Sequence, residues 1–211
     1  FRSSLFLCTP SVEPERLDPE FIERLAKCDK LCPQFHLSLQ SGCDETLKRM
    51  NRHYDTEEYR TIVNNLRKAF KDCAITTDVM VGFAGETEEE FQKSLDFVHS
   101  IKFAKVHTFS YSRRKGTVGD KLPNQVDPQI KSERSKKMIE VTLKDRKEFL
   151  RNQLNNTYSV LFERKKEEGY WEGYTMNYTP VRVFSDLDLN DKIVDVKLTD
   201  AFDDYCIGEL I

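Results

Sequence analysis

The chain has 211 residues, enough for one large domain or a medium domain with a small companion. A hydrophobic fraction of 38%, with 14 Phe and 8 Tyr, can build a core and argues against wholesale disorder. No apolar run approaches the roughly 20 residues of a membrane span, and a net charge of −3 excludes a general attraction to nucleic acid. The charge is uneven: residues 1–151 carry 27 Lys and Arg against 24 Asp and Glu, whereas residues 152–211 carry 6 against 12, a net −6. Any RNA contact must therefore come from local basic clusters. The opening FRSSLFLCTP is too short for a secretory leader and has no small-residue cleavage site, so a cytoplasmic protein is expected.

In chain order, Asp18-Pro19-Glu20 reads as a helix start, with Ile22, Leu25 and Ala26 as its apolar stripe and Pro33 closing the unit. Residues 34–39 (QFHLSL) alternate as a strand, Ser41-Gly42 turns, and Asp44 is placed to cap a short helix with Leu47 and Met50. Asp55 or Thr56 caps a helix showing Tyr59, Ile62, Val63, Leu66 and Phe70 at helical spacing. Residues 73–81 (CAITTDVMV) read as a strand broken by Gly82-Phe83-Ala84-Gly85, and Thr87 with Glu90 forms a capping box before Phe91, Leu95 and Val98. Residues 105–111 (KVHTFSY) alternate again, followed by a basic loop over 112–119 and a long charged helix from Asp127-Pro128 to about Asn152. Helix and strand alternating three times predict an α/β fold with a parallel sheet of right-handed crossovers. After residue 152, short runs at 158–163, 170–176, 181–184 and 193–198 predict about five strands and a small antiparallel barrel. The chain is thus expected to divide into 1–151 and 152–211.

Six cysteines, Cys8, Cys28, Cys32, Cys43, Cys73 and Cys206, are scattered; Cys28 and Cys32 make the one close pair and no third completes a motif. Free thiols in a reducing compartment are expected, with no metal site. Ligands of parallel sheets sit at the carboxyl ends of strands, and three segments fall there. Gln40, just past a strand end with Ser38 before it, suits a ribose diol, or it belongs to a plain strand–helix turn. In Asp78 to Gly85, the pair Gly82 and Gly85 lets backbone approach a flat ligand on which Val81 or Phe83 can pack, or it serves only a turn needing positive φ. Arg113, Arg114 and Lys115 are phosphate-contact candidates or a solvated charge run; Arg49, Arg52 and His53 can face the same mouth.

The order of HLSLQSGCDETLKRMNRHY, ITTDVMVGFAGETEEEF and FSYSRRKGT closely resembles the radical S-adenosylmethionine (SAM) methylthiotransferases, and GYWEGYTMNYTPVRV resembles their TRAM domain, an OB-like RNA-binding β-barrel. The resemblance runs from about Ser11 to the end, and LCPQFHLSLQSG, YSRRKGT and GYTMNY are most like the branch acting on N6-threonylcarbamoyladenosine beside the tRNA anticodon. It implies a partial radical SAM (β/α) barrel followed by the small barrel, and an enzyme in which a [4Fe-4S] cluster reduces SAM and a methylthio group is added to C2 of the adenine. By this resemblance Gln40, Ser38, Asp78, Val81, Gly82, Phe83 and Gly85 would bind SAM. Arg52, Arg113, Arg114 and Lys115 would meet tRNA, joined by Tyr174, Asn177 and Tyr178 on the barrel. A monomer is expected.

Departures from the family pattern shape the expectation further. No CxxxCxxC occurs, so the chain corresponds to a carboxyl-terminal part whose cluster ligands lie elsewhere and which is inactive alone. Ala84 stands where the family usually has Pro, residues 1–10 match poorly, and Pro10 is awkward inside a strand. The alternatives are a non-enzymatic tRNA-binding module, whose affinity would fall steeply with salt, and the isopentenyladenosine branch of the same family. An ordinary SAM-dependent methyltransferase would need a glycine-rich loop after its first strand and an acid ending its second; no such pair is present.

Overall fold

The computed structural model describes Leu7 and residues 11–211. The expectations for Cys8 and Pro10 lie outside the described residues.

Three parallel strands form the first sheet in the order β1 (Gln34–His36), β2 (Ala74–Val81), β3 (Lys105–Ser110). Register pairs Phe35 with Ile75 and Val79 with Thr108. Regular pairing of the first strand is shorter than the alternation predicts. A bridge from Gln40 to Val79 continues it beyond a short gap, and Phe35, Leu37 and Leu39 are all fully buried. The helices are α1 (Pro19–Ala26), α2 (Asp44–Arg49), α3 (Thr56–Ala69) and α4 (Glu88–Ile101), then a short α5 (Val118–Lys121) and the long α6 (Pro128–Arg151). The apolar sides of all but α5, which buries no residue, meet the sheet in one core built on Tyr59, Val63, Leu66, Phe91, Phe103 and Met138.

Local chemistry sets the helix starts. Asp18 accepts from the Phe21 amide at 2.7 Å, and both Asp55 with Glu58 and Thr87 with Glu90 close reciprocal capping boxes. Each such cap contributes about 1 kcal/mol. Asp44 does not cap α2: it is the first helical residue, Cys43 holds the cap position, and the Asp44 carboxylate instead accepts from the Thr56 amide at 2.8 Å. That bond ties the start of α2 to the start of α3.

The second unit is a closed barrel of β4 (Thr157–Lys165), β5 (Tyr170–Thr175), β6 (Pro180–Phe184), β7 (Lys192–Ala201) and β8 (Cys206–Leu210), in the order β4-β5-β6-β8-β7. It is not wholly antiparallel: β6 and β8 pair in parallel through Val181–Cys206 and Arg182–Ile207. The link from β6 to β8 passes through β7, so they reach each other's side pointing the same way, which the spacing of short runs could not reveal. Its core gathers Val160, Phe162, Trp171, Val183, Val196 and Cys206, with Leu150 from the end of α6. Arg146 fastens α6 to the barrel, its Nε 2.9 Å from Asp204 Oδ1 while its Nη1 donates to the Ala104 carbonyl. Among the described residues no helix is long and apolar enough to cross a membrane.

Candidate functional site

The carboxyl ends of β1, β2 and β3 open on one cleft of about 1060 Å³. Gln40 stands on it with φ +67, a left-handed backbone uncommon outside glycine and often retained at functional sites. Its amide donates to the Asp78 carbonyl at 2.9 Å and its carbonyl accepts from the Met80 amide at 2.8 Å, so the backbone is fixed by β2. Met80, Phe83, Phe109 and Tyr111 supply the apolar wall, Phe83 meeting Tyr111 edge-on with ring centres 4.9 Å apart. Lys48, Arg49, Arg52 and Arg114 supply the charge, and among the described residues no Asp or Glu lines the cleft.

The four cations differ in freedom. Arg49 is gripped by Glu90, with Nη1 to Oε1 at 2.8 Å, and the Glu90 carboxyl is held below its ordinary range chiefly by that hydrogen bond. The Nε of Arg49 is buried without a hydrogen-bond partner. Arg52 meets Glu13 at 3.2 Å. Lys48 and Arg114 have no acidic partner among the described residues.

Behind the cleft lies the turn over residues 82–85. Gly82 (φ +72) and Gly85 (φ +79) both occupy left-handed backbone, and a methyl on Gly82 would meet Lys131 Cγ at 2.4 Å. The Gly82 amide donates to Glu86 Oε2 at 2.7 Å, and Arg134 from α6 reaches the same oxygen at 2.8 Å. Burial raises the Glu86 carboxyl, against the pull of the Gly82 amide and Arg134. A buried ion pair thus carries the turn.

The expected site residues separate on this frame. Gln40, Phe83, Arg52 and Arg114 come together in the cleft. Gly82 and Gly85 shape the turn behind it, Gly85 backing on Arg49. Val81 is 1% exposed and belongs to the core, because strand alternation turns it to the helix side; it cannot pack on a ligand there. Ser38 is buried beside Ser11 at 3.2 Å, and Asp78 sits one step down the sheet, 3.4 Å from His36. Neither lines the cleft. Arg113 points to another hollow beside α6 and is paired with Asp120 at 3.0 Å; Lys115 is exposed. On the barrel, Tyr174 and Tyr178 are exposed neighbours with ring centres 5.8 Å apart. Asn177 is 3% exposed and spent on structure: its amide donates to Gln153 Oε1 at 3.1 Å and to the Asp72 carbonyl at 2.9 Å. It is a clamp between the two units. Lys48 and Met80 were missed; Lys48 lies four residues before Arg52, and Met80 alternates with Asp78, spacings that could have found both.

The residues present suit an adenosyl ligand: concave, apolar on one wall, with an amide side chain and cations on another. They do not suit an iron–sulfur cluster. Among the described residues no group of three or more His, Cys, Asp or Glu can hold a metal. Cys28, Cys43, Cys73 and Cys206 are free thiols.

Residues 3–98 match the radical SAM superfamily. The threonylcarbamoyladenosine tRNA methylthiotransferase MtaB of Bacillus subtilis (strain 168) is 37% identical over 205 residues, covering 95% of this chain and 46% of that protein. The tRNA-2-methylthio-N(6)-dimethylallyladenosine synthase of Clostridium botulinum (strain Okra / Type B1) is 38% identical over 209 residues, 94% of this chain and 44% of that one. The chain therefore spans under half the length of these relatives. In fold it is similar to the radical SAM enzyme coproporphyrinogen III oxidase (HemN) of Escherichia coli, with a TM-score of 0.55 at 18% identity over 64% of this chain and 31% of that one. Over nearly its whole length the chain is thus similar to part of the radical SAM tRNA methylthiotransferases.

Proposed function

We propose that the chain is part of an enzyme that adds a methylthio group to C2 of N6-threonylcarbamoyladenosine in tRNA, and that the cleft holds both the S-adenosyl ligand and the modified base. The observation that carries this is the cleft's make-up: Gln40 and aromatic walls for nucleosides, four cations, and no acid. Bound S-adenosylmethionine would supply the methyl carbon and the adenosyl radical. Gln40 would hold its ribose, Phe83 would pack on its adenine, and the turn over residues 82–85 would fix their separation. Fixed geometry is the protein's main contribution to such a step.

The branch follows from charge. A threonylcarbamoyl group ends in a carboxylate, whereas a dimethylallyl group is wholly apolar. Lys48 and Arg114, exposed at the cleft and free of acidic partners among the described residues, favour the anion. Arg52, Arg113 and Lys115 would serve the tRNA backbone from the rim, and Tyr174 and Tyr178 would contact it from the barrel. We take residues 1–151 as the partial radical SAM domain and 152–211 as a TRAM domain. Because no CxxxCxxC is present, the chain alone is proposed to be inactive, and the work to be cytoplasmic.

The test is competition between two anticodon stem-loops, one carrying threonylcarbamoyladenosine and one isopentenyladenosine. The expected result is at least about tenfold preference for the first, lost in Lys48→Ala with Arg114→Ala. Equal binding of the two overturns the branch. Unchanged S-adenosylhomocysteine affinity in Gln40→Ala removes the ribose role.

A further inference from the structure

The hollow beside α6 into which Arg113 turns has a volume of about 550 Å³. One side of it is a stripe of α6, where helical periodicity brings Lys131, Ser132, Ser135 and Lys136 to one face. The opposite side is the run that leaves β3, with Ser110, Ser112 and Arg113. Three cations and four serines thus meet, and among the described residues no Asp or Glu lines the hollow. It lies outside the cleft, with which it shares the wall of Ser110, Tyr111 and Ser112.

A solvated helix face would pair its cations without regard to this hollow. Instead Arg134, Lys137, Lys144, Arg146 and Lys147 of α6 each meet a carboxylate. Lys131 and Lys136 form no ion pair among the described residues, and both line the hollow. The four serine hydroxyls likewise have no hydrogen-bond partner among the described residues. Lys131 is half-buried, and its amine gives one proton to the Tyr111 carbonyl at 3.0 Å, which leaves others to donate. Burial first, and Arg113 next, hold that amine below its ordinary range, against the pull of Asp127. An anion in the hollow would offset both. Arg113 is shared with Asp120 at 3.0 Å, so the unneutralised charge rests with the two lysines.

We propose that this hollow is a binding site for a phosphate group carrying two negative charges, free or as a monoester, with Lys131 and Lys136 as its principal contacts. Donors approach from two sides, and a tetrahedral oxyanion offers oxygens to both. Chloride presents a single centre and a carboxylate two oxygens in one plane, so either leaves donors unused. Charge decides between kinds of phosphate. Two unneutralised lysines match a dianion, whereas a backbone phosphodiester carries one charge and leaves part of theirs unmet. The site goes beyond the reading of the cleft and does not rest on it.

The experiment uses the full chain and inorganic phosphate, above neutrality and at an ionic strength held constant with chloride. Binding is read from broadening of the phosphorus-31 resonance, which should saturate. Lys136→Gln should weaken it about fivefold or more, and Lys131→Gln, at the half-buried contact, should weaken it further. Lys144→Gln, which removes a cation of α6 outside the hollow, should leave it unchanged. So should Lys48→Ala with Arg114→Ala, which removes the unpartnered cations of the cleft and keeps the two sites distinguishable. Thermal melting in chloride checks that each variant folds; Lys136 is exposed, so its variant decides the question if Lys131→Gln does not fold. Methyl phosphate that competes better than inorganic phosphate identifies a monoester as the ligand, and weaker competition identifies the free anion. The site is overturned if broadening does not saturate, or if Lys144→Gln or the cleft pair abolishes it. Displacement by an oligouridylate without terminal phosphate, at lower phosphate concentration than methyl phosphate needs, would overturn the dianion in favour of an RNA backbone.

Discussion

The cleft and the barrel face are made from the same two ingredients, aromatic rings and cations, in opposite electrostatic states. Among the described residues no carboxylate lines the cleft, and two of its four cations have no acidic partner. On the barrel one half-buried carboxylate serves three cations. The difference lies in what the cations are paired with. In the cleft Lys48 and Arg114 are exposed and unneutralised, so they stay available to an anion. On the barrel Glu172 already neutralises part of the charge around it, and a further anion must compete with it. The cleft therefore offers an incoming anion more unneutralised charge than the barrel face does.

The largest expected effect lies beneath the cleft. Arg134 and Glu86 have side chains only 6% and 1% exposed, and they hold the turn through the Gly82 amide. Arg134→Ala leaves a buried carboxylate without its partner, which costs about 3–5 kcal/mol. Urea unfolding should register that loss, whereas Arg164→Ala on the barrel, half of an exposed pair, should fall within about 1 kcal/mol. If the two variants unfold alike, the turn is not held by this ion pair and the contrast between the regions fails.

Much of the first unit was legible before any coordinates, because its signals are local. Caps at Asp18, Asp55 and Thr87 need only side chains within three residues, and alternation located all three parallel strands. The parallel pairing of β6 with β8 was not legible, since it depends on a return path through β7. At the site, strand-end position was enough to find Gln40 and Phe83. It could not separate Arg114, which faces the cleft, from its neighbour Arg113, which turns to Asp120. Nor could composition show that Asn177 is spent inside, since the Asp72 carbonyl it serves is 105 residues away.

Two glycines sharpen the comparison at a smaller scale. Gly82 (φ +72) and Gly169 (φ +87) share left-handed backbone, one under the cleft and one in a barrel turn. Any side chain at such a φ costs about 1–2 kcal/mol. At Gly169 nothing lies within 4 Å of an added methyl, so Gly169→Ala should show that cost alone. Gly82→Ala must also displace Lys131, whose amine donates to the Tyr111 carbonyl at 3.0 Å. It should lose more stability than Gly169→Ala and weaken S-adenosylhomocysteine binding as well. Equal losses with unchanged ligand affinity would mean that Lys131 yields freely and the turn does not shape the cleft.

Acid should separate the two regions most gently. Residues 152–211 contain no histidine, whereas His107 lies on β3 with its imidazole held below the ordinary 6.5, by burial first and by Lys105 next. A depressed folded-state value means that the unfolded chain binds the proton more readily. The His107 contribution is therefore full above about pH 6.5 and is lost as pH falls through its folded value. Glu86, raised by burial, works in the opposite direction at lower pH, so His107→Gln is needed to isolate the histidine. Trp171, the one tryptophan, lies in the barrel core and reports that unit alone, while far-ultraviolet circular dichroism follows the helices. Between neutrality and mild acid the helical signal should lose a little stability and the tryptophan signal none. The loss should shrink in His107→Gln, because removing the titrating ring removes the proton that the unfolded chain would otherwise take up. A tryptophan transition that moves in step with the helices would show instead that the clamps at Asn177 and Arg146 make the chain unfold as one unit.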